Sequence, residues 1–95
     1  MAWIRSQPCL ISGCDFDNVA HHVHLPGEGG ISLKPSDYYT VPLRAEIHVL
    51  LHQTGEMVFW SQHGIEPTTE LIRLLESYPY QNDNLRDDLE RLREY

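Results

Sequence analysis

The sequence predicts a small α+β domain, because short β-branched segments precede several segments with helical periodicity. The chain has 95 residues and a mass of 11.0 kDa, which suits one domain with a modest core. Residues 19–25 and 38–41 have the composition of two short strands, joined by a loop rich in glycine and proline. From residue 42 onward, apolar residues recur with the period of a helix. We therefore expect two strands followed by several helices.

The first elements can be placed in order along the chain. Residues 8–18, named here the cysteine knuckle, contain Cys9 and Cys14 and are predicted to be rich in turns. After the two strands, Pro42 suits the first turn of a helix, where a missing N–H has no intrahelical partner. Gly55 is expected to end that helix. Its apolar face is predicted to consist of Leu43, Ile47, Leu50 and Leu51.

The remaining elements are predicted to be helices. A short helix is expected through residues 57–60. The next helix is indicated by a stripe of apolar residues, namely Leu71, Leu74, Leu75 and Tyr78. Either Asp83 or Asn84 can cap a last helix, whose stripe consists of Leu85, Leu89 and Leu92. We interpret residues 1–65 as the core and residues 66–95 as a helical extension packed on it or beside it.

The net charge, the apolar runs and the cysteine count argue against several classes of protein. The net charge is −7, and residues 1–65 contain three cations and six acids, which argues against broad electrostatic capture of nucleic acid. No apolar run approaches the length of a membrane span, and the N-terminus lacks the apolar region of a signal peptide. We therefore expect a cytoplasmic protein without membrane contact. Two cysteines are too few for a disulfide framework.

Four of the six histidines form two pairs. His48 and His52 are spaced i, i+4 on the helix predicted after the strands, so both imidazoles can reach one ion. His21 and His22 are adjacent on the first strand and must point to opposite faces. We therefore expect one of these two to bind the ion and the other to act as a base. Three imidazoles with open coordination positions are typical of a catalytic metal site. Asp37 is well placed to accept a hydrogen bond from the base.

These residues belong to a longer pattern. Ala-His-His, a Gly-Gly loop, Lys-Pro-Ser-Asp and Val-Pro-Leu-Arg-Ala-Glu-Ile-His-Val-Leu-Leu-His follow one another in the sequence. The combined pattern resembles the HNH endonucleases, which have a ββα-metal (His-Me finger) fold. It is most similar to small phage and prophage HNH proteins related to the recombination-enhancement nuclease, and its histidine pairs also resemble those of colicin nuclease domains. The resemblance covers residues 8–65, including Phe-Trp-Ser-Gln-His-Gly-Ile.

The resemblance implies a role for each of these side chains. His22 takes the position of the general base, and Asp37 the position of the residue that orients it, where the family often has asparagine. His21, His48 and His52 take the positions of ligands to one divalent ion, which could be Mg²⁺, Mn²⁺, Ni²⁺ or Zn²⁺. The implied activity is hydrolysis of DNA phosphodiester bonds, by nicking or by double-strand cutting, in phage or bacterial DNA processing or recombination.

The chain departs from many of these relatives at a second metal site. Relatives often complete a structural four-cysteine zinc site with a cysteine pair at positions that correspond here to Arg44 and Ile47. Cys9 and Cys14 are therefore left as a metal half-site or as free thiols, and a four-cysteine zinc is not expected. Lys34 and Arg44 are candidate phosphate contacts.

The small number of cations predicts weak and largely non-specific DNA contact. We expect targeting to come from a protein partner or from a homodimer formed through the helices of Leu71–Leu92. The alternative function is a catalytically inactive, zinc-stabilised module for protein interaction, because a small core gains stability from a metal whether or not chemistry follows.

Overall fold

The computed structural model describes residues 2–23 and 38–94. These residues form a two-stranded antiparallel sheet and five helices, so the predicted α+β class is confirmed. Two strands precede four of the helices, as the periodicity indicated. The elements in chain order are α1 (Ala2–Arg5), β1 (Asn18–His22), β2 (Thr40–Arg44), α2 (Ala45–Thr54), α3 (Glu56–Gln62), α4 (Pro67–Ser77) and α5 (Asp83–Arg93).

The prediction that Pro42 begins a helix is wrong. Pro42 lies in the middle of β2, where it pairs with Ala20 of β1, and α2 begins three residues later at Ala45. Both strands of a two-stranded sheet are edge strands, and an edge strand tolerates a residue that has no N–H to donate. The Pro42 carbonyl is still used, because it accepts the N–H of Leu10 from the cysteine knuckle at 3.1 Å.

The later start of α2 also changes its apolar face. Leu43 is fully buried, but it lies in β2. Leu51 is 1% exposed and Ile47, one turn before it, is partly buried against the core. Leu50 is 47% exposed, contrary to the prediction. Ile47 and Leu51 share one narrow stripe, and Leu50 lies about 100° away from Leu51 around the helix, beyond the side that meets the sheet.

The helical extension shares one hydrophobic core with the sheet. Helix α4 packs against β2, and α5 is capped by Asn82, whose Oδ1 accepts the N–H of Leu85 at 2.9 Å. The predicted caps Asp83 and Asn84 instead lie inside α5. The short α1 was not predicted, and it contributes Ile4 to the interior. The core consists of Ile4, Cys9, Val23, Tyr39, Val41, Leu43, Leu51, Phe59, Trp60, Leu71, Leu74, Leu75, Leu85, Leu89 and Leu92.

None of the helices in the described part of the chain has the length and apolar character that a bilayer span requires.

Candidate metal centre

Three histidine side chains meet where β1 faces α2. His21 Nδ1 lies 3.1 Å from His48 Nε2, and His48 Nε2 lies 3.1 Å from His52 Nε2. One ring nitrogen from each histidine lies within 4.8 Å of the other two. The strand supplies the first ring and the i, i+4 spacing on α2 supplies the other two. The structure therefore brings His21, His48 and His52 together, as the sequence pattern predicts.

The spacing of these nitrogens fits a divalent ion. For a metal–nitrogen bond of about 2.0–2.1 Å, two nitrogens 3.1 Å apart subtend about 95–100° at the metal. This angle lies between the octahedral and the tetrahedral values. Protonated imidazoles repel one another at such distances, whereas neutral rings present lone pairs. Three neutral imidazole nitrogens form a donor set that suits a borderline ion such as Zn²⁺ or Ni²⁺.

The electrostatics of His48 favour its neutral form. Burial lowers the pKa of His48, and the neighbouring His21 and His52 lower it further, while the Glu56 carboxylate opposes the shift. A neutral imidazole is the form that binds metal. The cluster also runs from the interior to the surface, because His21 is 3% exposed, His48 is partly buried and His52 is exposed. A ligand in solution can therefore reach the cluster from the His52 side.

Glu56 and Trp60 form an outer layer of this cluster that was not predicted from the sequence. Glu56 Oε1 lies 3.0 Å from His21 Nε2 and accepts the indole N–H of Trp60 at 3.3 Å. A signal for both residues is present in the sequence, since His48, His52, Glu56 and Trp60 recur at every fourth position. The pattern was hidden because Gly55 divides these positions between two helices.

The proposed base lies next to the cluster in sequence but on the other face of its strand. His22 is the last residue of β1, pairs with Thr40 and is exposed. Its neighbour His21 is buried, as the alternation along a strand requires. The residue predicted to orient the base, Asp37, lies outside the described residues, and so does the candidate phosphate contact Lys34.

The cysteine knuckle binds the start of α2 through Arg44. Cys9 is buried, and its Sγ accepts the N–H of Arg44 at 3.3 Å. The Arg44 guanidinium lies 4.0 Å from Cys14 Sγ, stacks on Phe16 at 4.9 Å and pairs with Glu46 at 3.2 Å. Among the described residues, no histidine, aspartate or glutamate side chain lies close enough to complete a metal site with the two cysteine thiols. Arg44, a candidate phosphate contact, thus places its positive charge beside the knuckle.

Hydrogen bonds to the Cys9 sulfur stabilise its thiolate form and so lower the pKa of the thiol. Burial acts to raise the pKa of the Cys9 thiol, but hydrogen bonds from Ser12 and from the backbone N–H groups of Ser12, Arg44 and Ile11 outweigh it. The net effect is a lowered pKa. The Cys9 thiol is therefore more acidic than an ordinary cysteine at the point where the knuckle meets α2.

Comparison with known proteins gives a family and one relative. Residues 1–78 match the family described as "Protein of unknown function (DUF968)". The "Uncharacterized protein YdfU" of Escherichia coli (strain K12) is 34% identical to the chain over 62 residues, which is 65% of the chain and 17% of that relative. The chain thus spans less than a fifth of the length of the relative. No solved structure matches the chain significantly. The family match contains the histidine cluster, its outer layer and both cysteines, and the chain belongs to the DUF968 family.

Proposed function

We propose that the chain is a metal-dependent endonuclease of the HNH type, which hydrolyses phosphodiester bonds of DNA. The observation that carries this proposal is the approach of His21, His48 and His52 within 4.8 Å of one another. The order of elements supports it, because two antiparallel strands lead directly into the helix that bears the second histidine pair. This order and this donor set agree with the ββα-metal pattern that the sequence resembles.

The roles follow from the chemistry of phosphodiester hydrolysis. His21, His48 and His52 would hold a divalent ion, which would supply positive charge to stabilise the phosphorane-like transition state and the departing oxygen. His22 accepts a proton from water while the water oxygen forms a bond to phosphorus. The bond from phosphorus to the 3′ oxygen breaks, which leaves a 5′-phosphate and a 3′ oxygen anion that takes a proton from solvent to become the 3′-hydroxyl. The exposed position of His22 lets it meet a large substrate such as DNA.

The charge distribution supports weak intrinsic affinity for DNA. The chain has seven cations and fourteen acids, and the guanidinium of Arg44 is already engaged by Glu46 and Phe16. Affinity for a duplex grows with the number of phosphates that lysine and arginine neutralise. We therefore propose that a partner protein or a second copy, bound through the helices of Leu71–Leu92, brings the enzyme to its target.

A plasmid-nicking assay tests the proposal. The metal-free protein is supplied in turn with Mg²⁺, Mn²⁺, Ni²⁺ and Zn²⁺, and the conversion of supercoiled plasmid is measured. The His22→Ala variant should lose about 10²–10⁴-fold in rate, as expected for loss of a general base, while its metal affinity is kept. His52→Ala should lose both. The matched control is His63→Ala, which removes an exposed histidine outside the cluster and should cut like the parent.

Two results would contradict the proposal: the first would refute the assignment of the general base, and the second would refute the nuclease activity itself. The first is undiminished cutting by His22→Ala, which would show that another group activates water. The second is tightly bound zinc without nicking under any of the four ions. That second result would instead support the catalytically inactive, zinc-stabilised module for protein interaction.

A further inference from the structure

We propose that Glu56 is a positioning residue, which holds His21 in the tautomer whose Nδ1 lone pair faces the metal centre. This inference rests on the metal site of the proposed function. Glu56 belongs to α3 and lies outside the ligand set itself, and its contact with His21 explains how the strand histidine presents a lone pair to the two helix histidines.

The two nitrogens of the His21 ring face different partners. Nε2 lies 3.0 Å from Glu56 Oε1, and Nδ1 lies 3.1 Å from His48 Nε2. An ionised carboxylate only accepts hydrogen bonds, so the proton of the neutral ring must be on Nε2. The lone pair is then on Nδ1, which is the nitrogen that faces His48 and His52.

The Glu56 carboxylate is itself held in place by a second hydrogen bond. The indole N–H of Trp60 donates to the same Oε1 atom at 3.3 Å. Trp60 is 4% exposed and the Glu56 side chain is 17% exposed. In such surroundings hydrogen bonds to a charged acceptor are stronger than in water. Glu56 is therefore held at one oxygen by two donors, one from α3 and one from β1.

Glu56 positions His21 and does not itself join the cluster of ligand atoms. Glu56 contacts His21 at Nε2, on the opposite side of the ring from the nitrogen that joins the cluster. The three nitrogens that lie together come from histidines alone. Carboxylates that accept from the remote nitrogen of a ligating histidine fix its ring orientation and raise its basicity. Their loss typically reduces metal affinity about 10- to 100-fold.

Calorimetric titration of the metal-free full chain with Zn²⁺ tests the role of Glu56. Glu56→Ala should bind Zn²⁺ about 10- to 100-fold more weakly than the parent. Glu56→Gln should retain most of the affinity, because an amide oxygen can still accept from both His21 and Trp60. The matched control is Glu70→Gln, which removes the charge of another partly buried glutamate, paired with Arg73 at 2.9 Å, and should bind like the parent.

Nitrogen NMR of the metal-free parent supplies an independent readout, recorded at a pH where imidazoles are neutral. The parent should show His21 protonated at Nε2, and Glu56→Ala should show a mixture of tautomers. A His21 protonated at Nδ1 in the parent would overturn the inference, even if a variant failed to fold. Unchanged Zn²⁺ affinity in Glu56→Ala would overturn it as well. Failure of plasmid nicking with both results intact would count against the nuclease and leave the role of Glu56 standing.

Discussion

If the proposed site holds a metal ion, loss of His52 is expected to remove most of the stabilisation that the ion gives to the fold. His52 is exposed, so its truncation to alanine removes a ligand without opening a cavity in the core. Its Nε2 lies 3.1 Å from His48 Nε2, and two histidines alone make a much weaker site. Since a preformed site binds metal only in the folded state, the bound ion adds to the free energy of unfolding.

The size of this effect follows from the linkage between binding and folding. At a free Zn²⁺ concentration of about 100 times the dissociation constant, a single site adds about 2.7 kcal/mol to the free energy of unfolding. For a domain of this size, each kcal/mol corresponds to about 4–8 °C in melting temperature. The parent should therefore melt about 11–22 °C higher with Zn²⁺ than with a chelator.

Thermal melts followed by circular dichroism measure this shift. His52→Ala should lose most of the increase, and its melting temperature in chelator should stay close to that of the parent. The control His63→Ala should keep the full increase, because His63 is exposed and lies outside the cluster. An equal increase in His52→Ala and in the parent would refute the assignment of the three-histidine site.

Three further predictions concern the fold. Leu51→Ala should reduce the free energy of unfolding by about 2–5 kcal/mol, because Leu51 is 1% exposed. Leu50→Ala should reduce it by less than about 1 kcal/mol, because Leu50 is 47% exposed. Equal losses in urea titrations would contradict the orientation of α2 on the core. The lowered pKa of Cys9 means that the unfolded state keeps its proton longer, so the stability of the parent relative to Cys9→Ser should rise as the pH increases toward the ordinary thiol value of about 8.5 and then level off. A pH-independent difference in urea titrations would argue against the lowered pKa of Cys9. Gly55→Ala should cost about 1–3 kcal/mol through backbone strain alone, since φ is +98° and nothing lies within 4 Å of the added Cβ; an unchanged melting temperature would refute this.

The histidine cluster could be predicted because its spacings are local. An i, i+4 pair on a helix and one histidine on a preceding strand need only the order of elements to meet. The position of Pro42 could not be read in the same way. Both a helix start and an edge strand accept a proline, and only the pairing with Ala20 decides between them.

The outer layer of the site could not be predicted for a related reason. Glu56 and Trp60 continue the four-residue spacing of His48 and His52, but a continuous helix would have carried them along the α2 axis, away from β1. Their approach to His21 depends on the change of direction between α2 and α3. Likewise, the contacts of Arg44 with the cysteine knuckle link positions thirty or more residues apart, and no periodicity reports such contacts.

The connection between α2 and α3 is one residue long. The N–H of Gly55 donates to the carbonyl of Leu51 at 2.8 Å, and its own carbonyl accepts the N–H of Phe59 at 2.9 Å. Both the N–H and the carbonyl of Gly55 are thus hydrogen-bonded, the first to α2 and the second to α3. Helix α2 carries His48 and His52, and α3 carries Glu56, which contacts His21 of β1. An inserted amino acid after Gly55 should therefore displace this carboxylate from its histidine while each helix stays folded.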